Sequence, residues 1–152
     1  MVTCLLLVLG FFSTIPIHYG FHRFVGHGPP TSRGFKSHAQ GHHKSYTASD
    51  YLSESYRNDN GEVTLKHIFF LVPFIAGLFF LSIEVGTVLL GLLVGLGASV
   101  VLHEQWHIQG SVLERFSWFM EGRERHRLHH KWPKRNYGIL IFYLDRFAGT
   151  YV

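Results

Sequence analysis

The chain reads as an all-α integral membrane protein: about three transmembrane helices with a cytoplasmic, histidine-rich metal-binding cap. Three observations predict this. The apolar residues, 47% of the chain, are blocked into two runs, Val2–Ile17 and Ile68–Leu102, with no Lys or Arg in either. Eleven of the twelve histidines fall in four clusters just outside those runs. All fourteen Lys and Arg lie in 18–67 or 103–152, and cationic residues gather on the cytoplasmic side of a membrane.

At 152 residues the chain suffices for a single domain. It divides into a membrane helix (2–17), a first histidine-rich segment (18–67), an apolar hairpin (68–102) and a second histidine-rich segment with a tail (103–152). Val2–Ile17 barely reaches the roughly 17 residues a crossing needs. It lacks the basic start and small-residue cleavage site of a signal peptide and runs directly into His18, so it is expected to be a retained helix. The single cysteine, Cys4, lies within it and has no internal disulfide partner.

The second run is interrupted only by Glu84. At 1.5 Å per residue it extends about 52 Å, too long for one crossing of a core about 30 Å thick and a little short for two. A tight helical hairpin turning at Ser82–Gly86 is expected, with Glu84 solvated at its tip. The positive-inside rule then places Met1 and Glu84 on the far side and both histidine-rich segments in the cytoplasm. A soluble pair of all-buried helices is the weaker alternative. The net charge of +4 and pI near 9.4 suit an anionic lipid surface, and no nucleic-acid motif occurs.

The clusters read HYGFHRFVGH (His18, His22, His27), HAQGHH (His38, His42, His43), HEQWH (His103, His107) and HRLHH (His126, His129, His130). Neutral imidazole is the commonest ligand for transition metals, and one ion takes three or four. The supply is about twice that, so two metals are the natural reading. The first helix should continue past Pro16 with His18 and His22 one turn apart, until Gly26, Gly28 and Pro29–Pro30 end it. His38 and His42 have i, i+4 spacing, as do His103 and His107. His126, His129 and His130 fall in one stripe. Between the last two clusters, Val112, Leu113, Phe116, Phe119 and Met120 mark one face of an expected amphipathic helix, either interfacial or core-packing.

The spacings and the tail resemble the fatty acid hydroxylase/sterol desaturase superfamily of membrane di-iron enzymes. That family carries HX3–4H, HX2–3HH, HX3H and HX2HH boxes around a membrane hairpin. Here they stand as His22-RFVG-His27, His38-AQG-His42-His43, His103-EQW-His107 and His126-RL-His129-His130. The family's N-Y-G turn and D-R-x-x-G-T-Y ending match Asn136-Tyr137-Gly138 and Asp145-Arg146-Phe147-Ala148-Gly149-Thr150-Tyr151. The resemblance implies two iron ions, with zinc able to substitute, held by those ten histidines. It implies a monooxygenase that uses dioxygen to hydroxylate a membrane-resident acyl, sterol or carotenoid chain, or a desaturase of the same superfamily. No flavin, haem or nicotinamide motif is present, so electrons are expected from a separate reductase, ferredoxin or cytochrome. Family members usually carry a further membrane helix, so a second copy or another membrane subunit is expected to complete the hydrophobic sheath. The stretch after His43 lacks the family's Pro-x-Asp run, and small carotenoid hydroxylases share the HRLHH box.

Two other readings compete. His103-Glu104-xx-His107 is an H-E-x-x-H motif, the signature of a zinc metalloprotease with Glu104 as base. It leaves most of the other histidines without purpose. A metal carrier would place ligands along a midplane path rather than at one face. Outside the boxes, His18 is as well suited to an outer-shell role as to ligation, and His67 fits an interfacial residue at the start of the hairpin. Trp106, Trp118 and Trp132 fit an interfacial aromatic belt. Asp50, Glu54, Glu104, Glu124 and Asp145 are candidates to orient ligating histidines, and Arg146 is expected to pair with Asp145 or a lipid phosphate.

Overall fold

A computed structural model describes residues 2–57, 68, 71–80 and 82–152. The described residues are mostly helical and contain no extended strand; a parallel bridge joins Ser53 to Ile108. His67 lies outside them.

The first apolar run forms α1 (Val2–Phe21), which carries Pro16 in its interior. It continues without a break as a π-helical turn, His22–Gly26. The second run begins with the short α2 (Val72–Phe79) and continues as α3 (Ile83–Trp106). Two helices, Val2–Gly26 and Ile83–Trp106, are long and apolar enough to cross a membrane. Most of the surface of both is exposed, as for Leu5, Phe12, Ile83 and Val94. An all-buried soluble pair is therefore not what forms.

The expected third crossing is described only as the eight residues of α2, about 12 Å of helix. The expected turn at Ser82–Gly86 is corrected. Ser82 is the N-cap of α3, its Oγ accepting from the Val85 N–H, so residues 83–86 are already helical. A serine that satisfies an orphan amide starts the helix one residue after itself.

α1 and α3 run parallel and pack closely. Without a hydrophobic drive between helices in lipid, small residues permit such packing. A Cβ on Gly10 would lie 2.0 Å from the Val88 carbonyl oxygen, and one on Gly91 would lie 2.2 Å from that of Leu7. Thr14 Oγ1 donates to the Leu92 carbonyl across the same seam. Parallel packing brings the C-terminal ends of both helices, with His18, His22, His103 and His107, to one side.

The expected amphipathic helix over 112–120 is also corrected. Val112–Arg115 is one 3-10 turn, closed by a capping box between Ser111 and Glu114. Phe116 is extended, and α4 (Ser117–Lys131) then runs unbroken through the last histidine box. Phe119 is fully buried with Trp106, Leu102 and Ile139, while Val112, Phe116, Trp118 and Met120 are exposed. Trp106 is buried, so it does not belong to an aromatic belt. The chain ends with α5 (Tyr143–Phe147) and a tail folded back onto the N-Y-G turn.

Candidate metal centre

Two π-helical segments, His22–Gly26 and Lys36–His42, carry the first two boxes. A π turn bonds residue i to i+5, and it is rare outside functional sites. Here the His27 N–H donates to the His22 carbonyl, and the His43 N–H to that of His38. The wider turn brings i, i+5 histidines together: the rings of His22 and His27 lie 5.3 Å apart, those of His38 and His43 5.0 Å. The C-terminal end of α3, tightened at its cap, does the same for His103 with His107, and an α turn in α4 for His126 with His130, at 5.3 and 4.8 Å.

The ten box histidines gather into two sets. In one, ligand atoms of His22, His27, His38, His43 and His129 lie within 4.8 Å of one another. In the other, those of His42, His103, His107 and His126 do. His130 joins the second set, its Nε2 lying 3.2 Å from that of His42 and 3.3 Å from that of His126. Neighbouring boxes are thus divided between centres: His42 parts from His38 and His43, and His129 from His126 and His130. The i, i+4 spacing of His38 and His42 does not make them members of one set.

Backbone carbonyls fix four of these rings. Nδ1–H donates to the carbonyl of Tyr137 from His22 (2.7 Å), of Tyr51 from His107 (3.1 Å), of Arg135 from His129 (2.6 Å), and of Tyr46 from His130. A carbonyl only accepts, so the proton is on Nδ1 and the Nε2 lone pair faces inward. There Nε2 of His129 meets Nε2 of His27 and His43 at 3.0 and 3.1 Å, and Nε2 of His107 meets that of His126 at 3.2 Å. Lone pairs this close repel unless a proton or a metal ion lies between them. At a metal–nitrogen distance of about 2.0–2.1 Å, ligands at right angles sit roughly 3 Å apart. Each set therefore suits one transition-metal ion.

The fatty acid hydroxylase family model matches residues 6–150, nearly the whole chain. The chain belongs to the fatty acid hydroxylase family. That places it in the fatty acid hydroxylase/sterol desaturase superfamily. No curated protein and no solved structure matches it.

In this fatty acid hydroxylase family member burial keeps several of the box histidines neutral. Burial, and then the charge of neighbouring imidazoles, hold His42, His43, His126, His129 and His130 well below the usual histidine range. His27 and His107 are each lowered to about 3, chiefly by burial. Below about pH 6.5 the unfolded chain takes up protons that the folded chain refuses, so stability falls as pH drops from 6.5 toward the lowered folded values and is unaffected above it. Each such group contributes up to about 1.4 kcal/mol per pH unit in that window. Metal-free protein in detergent micelles is therefore expected to melt alike at pH 7 and 8 and much earlier at pH 5. Equal melting at pH 5 and 8 would contradict burial of neutral imidazoles.

Several expected carboxylate roles are reassigned. Asp50 pairs with Arg57 and Glu124 with Arg127. Asp145 is fully buried and accepts from the backbone N–H of Tyr137 and Gly138, both at 2.8 Å, and from Thr150 Oγ1 at 2.7 Å. It positions the Tyr137 carbonyl that holds His22 rather than touching a histidine. Arg146 does not pair with it; its guanidinium lies 4.5 Å from the Tyr151 ring centre. Sequence reading missed Tyr46, Tyr51, Arg135 and Tyr137 because they act through their carbonyls, and a backbone oxygen has no residue signature. His18 lies beside His22, ring centres 6.0 Å apart, outside both sets.

Proposed function

We propose that this protein is an oxygen-dependent lipid hydroxylase, a monooxygenase whose two histidine sets each hold one iron ion. His22, His27, His38, His43 and His129 hold one, and His42, His103, His107, His126 and His130 hold the other; zinc can replace iron in either. The observation that carries this reading is the pair of adjacent, all-imidazole sets at one end of two apolar helices, in a chain of the fatty acid hydroxylase family. When bound, the iron pair supplies reduction of dioxygen and an oxidant for an unactivated C–H bond.

The chain's own residues bind, orient and exclude water. The carbonyls of Tyr46, Tyr51, Arg135 and Tyr137 hold four rings with Nε2 inward. His107, His126 and His129 are fully buried, which keeps solvent from the oxidising centre. An acyl, sterol or carotenoid chain reaches the site laterally from the bilayer, beside α1 and α3. One oxygen atom enters the C–H bond; the other leaves as water, with two electrons and two protons from an external reductase, ferredoxin or cytochrome. The histidine-rich side faces the cytoplasm, because every Lys and Arg falls in the segments 18–67 and 103–152 that carry the histidines. Ser37→Cys and Ser82→Cys, in a Cys4→Ser background, are expected to label from opposite sides; labelling from one side contradicts that orientation.

The H-E-x-x-H protease reading uses His103 and His107 but leaves the set of His22, His27, His38, His43 and His129 unexplained. Lipids extracted from expressing cells grown under labelled dioxygen are expected to contain a new species carrying the label, absent with His129→Ala. New double bonds without label would mean desaturation. Unchanged lipids in the presence of an active reductant would remove the oxygenase reading.

A further inference from the structure

We propose that the basic groove formed by Lys131, Trp132, Pro133, Lys134 and Arg135 is the docking surface for an acidic electron-carrier protein. This rests on the oxygenase reading above and names the partner of that site. The groove is open, with a volume of about 680 Å³; Val152 also lines it, all six residues are exposed, and no acidic side chain lines it. Its Lys131 ammonium lies 4.6 Å from the Trp132 ring centre, leaving a cationic and aromatic face together.

The groove begins at the residue after His130, a member of one histidine set. It ends at Arg135, whose carbonyl accepts the Nδ1–H of His129, a member of the other, at 2.6 Å. The turn is fixed internally, with the Arg135 N–H on the Trp132 carbonyl and its guanidinium on that of Gly149. An electron arriving at Trp132 is therefore two residues along the backbone from His130. The sequence carries no redox cofactor motif of its own. Electron-transfer contacts are small and transient, and charge steers them. A protein occupant is favoured by charge: the lining residues supply three cations, Lys131, Lys134 and Arg135, against no acidic side chain.

The test uses metal-loaded protein in nanodiscs and a plant-type two-iron ferredoxin as the acidic probe. Binding is expected to weaken with salt. Lys131→Glu with Lys134→Glu should weaken it about tenfold at low salt, while Arg33→Glu with Lys36→Glu, the same charge change on other exposed cations, should change it little. Reduced ferredoxin should reduce the bound metal more slowly in the groove variant, with dithionite reduction unchanged. Equal weakening by both variants, or by neither, overturns the proposal. Quenching of Trp132 by brominated phosphatidylserine in a Trp118→Phe background, unrelieved by ferredoxin, overturns it in favour of a lipid contact. If neither reductant reduces the metal, the oxygenase reading fails while the binding comparison still decides the groove.

Discussion

Replacing His129 with alanine is expected to abolish lipid oxidation and to empty one of the two sites while sparing the other. Its Nε2 lies within 3.1 Å of Nε2 on both His27 and His43, and the Arg135 carbonyl locks its ring, so no neighbour substitutes for it. His107→Ala should do the same to the other set, which it joins through His126. Both losses should exceed the roughly 10–100-fold typical of changes around, rather than on, a metal ligand. Glu104→Gln should leave substantial activity, because Glu104 belongs to neither set. In a zinc protease Glu104 would be the general base, and its loss would be as severe as that of His107. Product formation by the three variants, each purified and supplied with reductant, separates the readings.

The second large effect is expected away from the histidines. Asp145→Ala strips the acceptor from two buried donors at once, the N–H groups of Tyr137 and Gly138, and leaves the Thr150 hydroxyl only its longer contacts to the Asp145 carbonyl and the Tyr19 hydroxyl. An orphaned buried donor costs about 1–3 kcal/mol, so the two together cost on the order of 2–6 kcal/mol. The turn cannot adjust easily, since a Cβ on Gly138 would lie 2.4 Å from the Ile141 carbonyl oxygen. Freed of Asp145, the Tyr137 carbonyl no longer holds His22, so metal should be lost first from the set that contains His22. Asp145→Asn should recover little, because an amide accepts through one oxygen only. Thermal unfolding in micelles together with metal content checks this. A variant within about 1 kcal/mol of the parent, with full metal, contradicts it.

Much of this was legible in the sequence. The apolar runs fixed two long helices, and box spacing marked all ten histidines that the structure gathers. The sorting of those histidines was not legible. Whether His42 joins His38 or departs from it depends on a π turn, one residue wider than the α turn that i, i+4 spacing presumes. Nor was the role of the tail. Asn136 takes a positive φ of 51° and its side chain bonds the backbone of Arg125 and Val152, closing a loop whose product is two correctly aimed carbonyls. Such carbonyls leave no trace in residue identity. The Ser82–Gly86 turn failed for a local reason: hydropathy does not change where Ser82 caps the helix.

The central claim is two adjacent sites in one chain. The measurement that tests it most directly is the metal-to-chain ratio of protein loaded anaerobically with ferrous iron, for the parent, His107→Ala and His129→Ala. The account predicts two ions per chain in the parent and one in each variant. One tightly held ion in the parent, lost in His107→Ala and kept in His129→Ala, would contradict it.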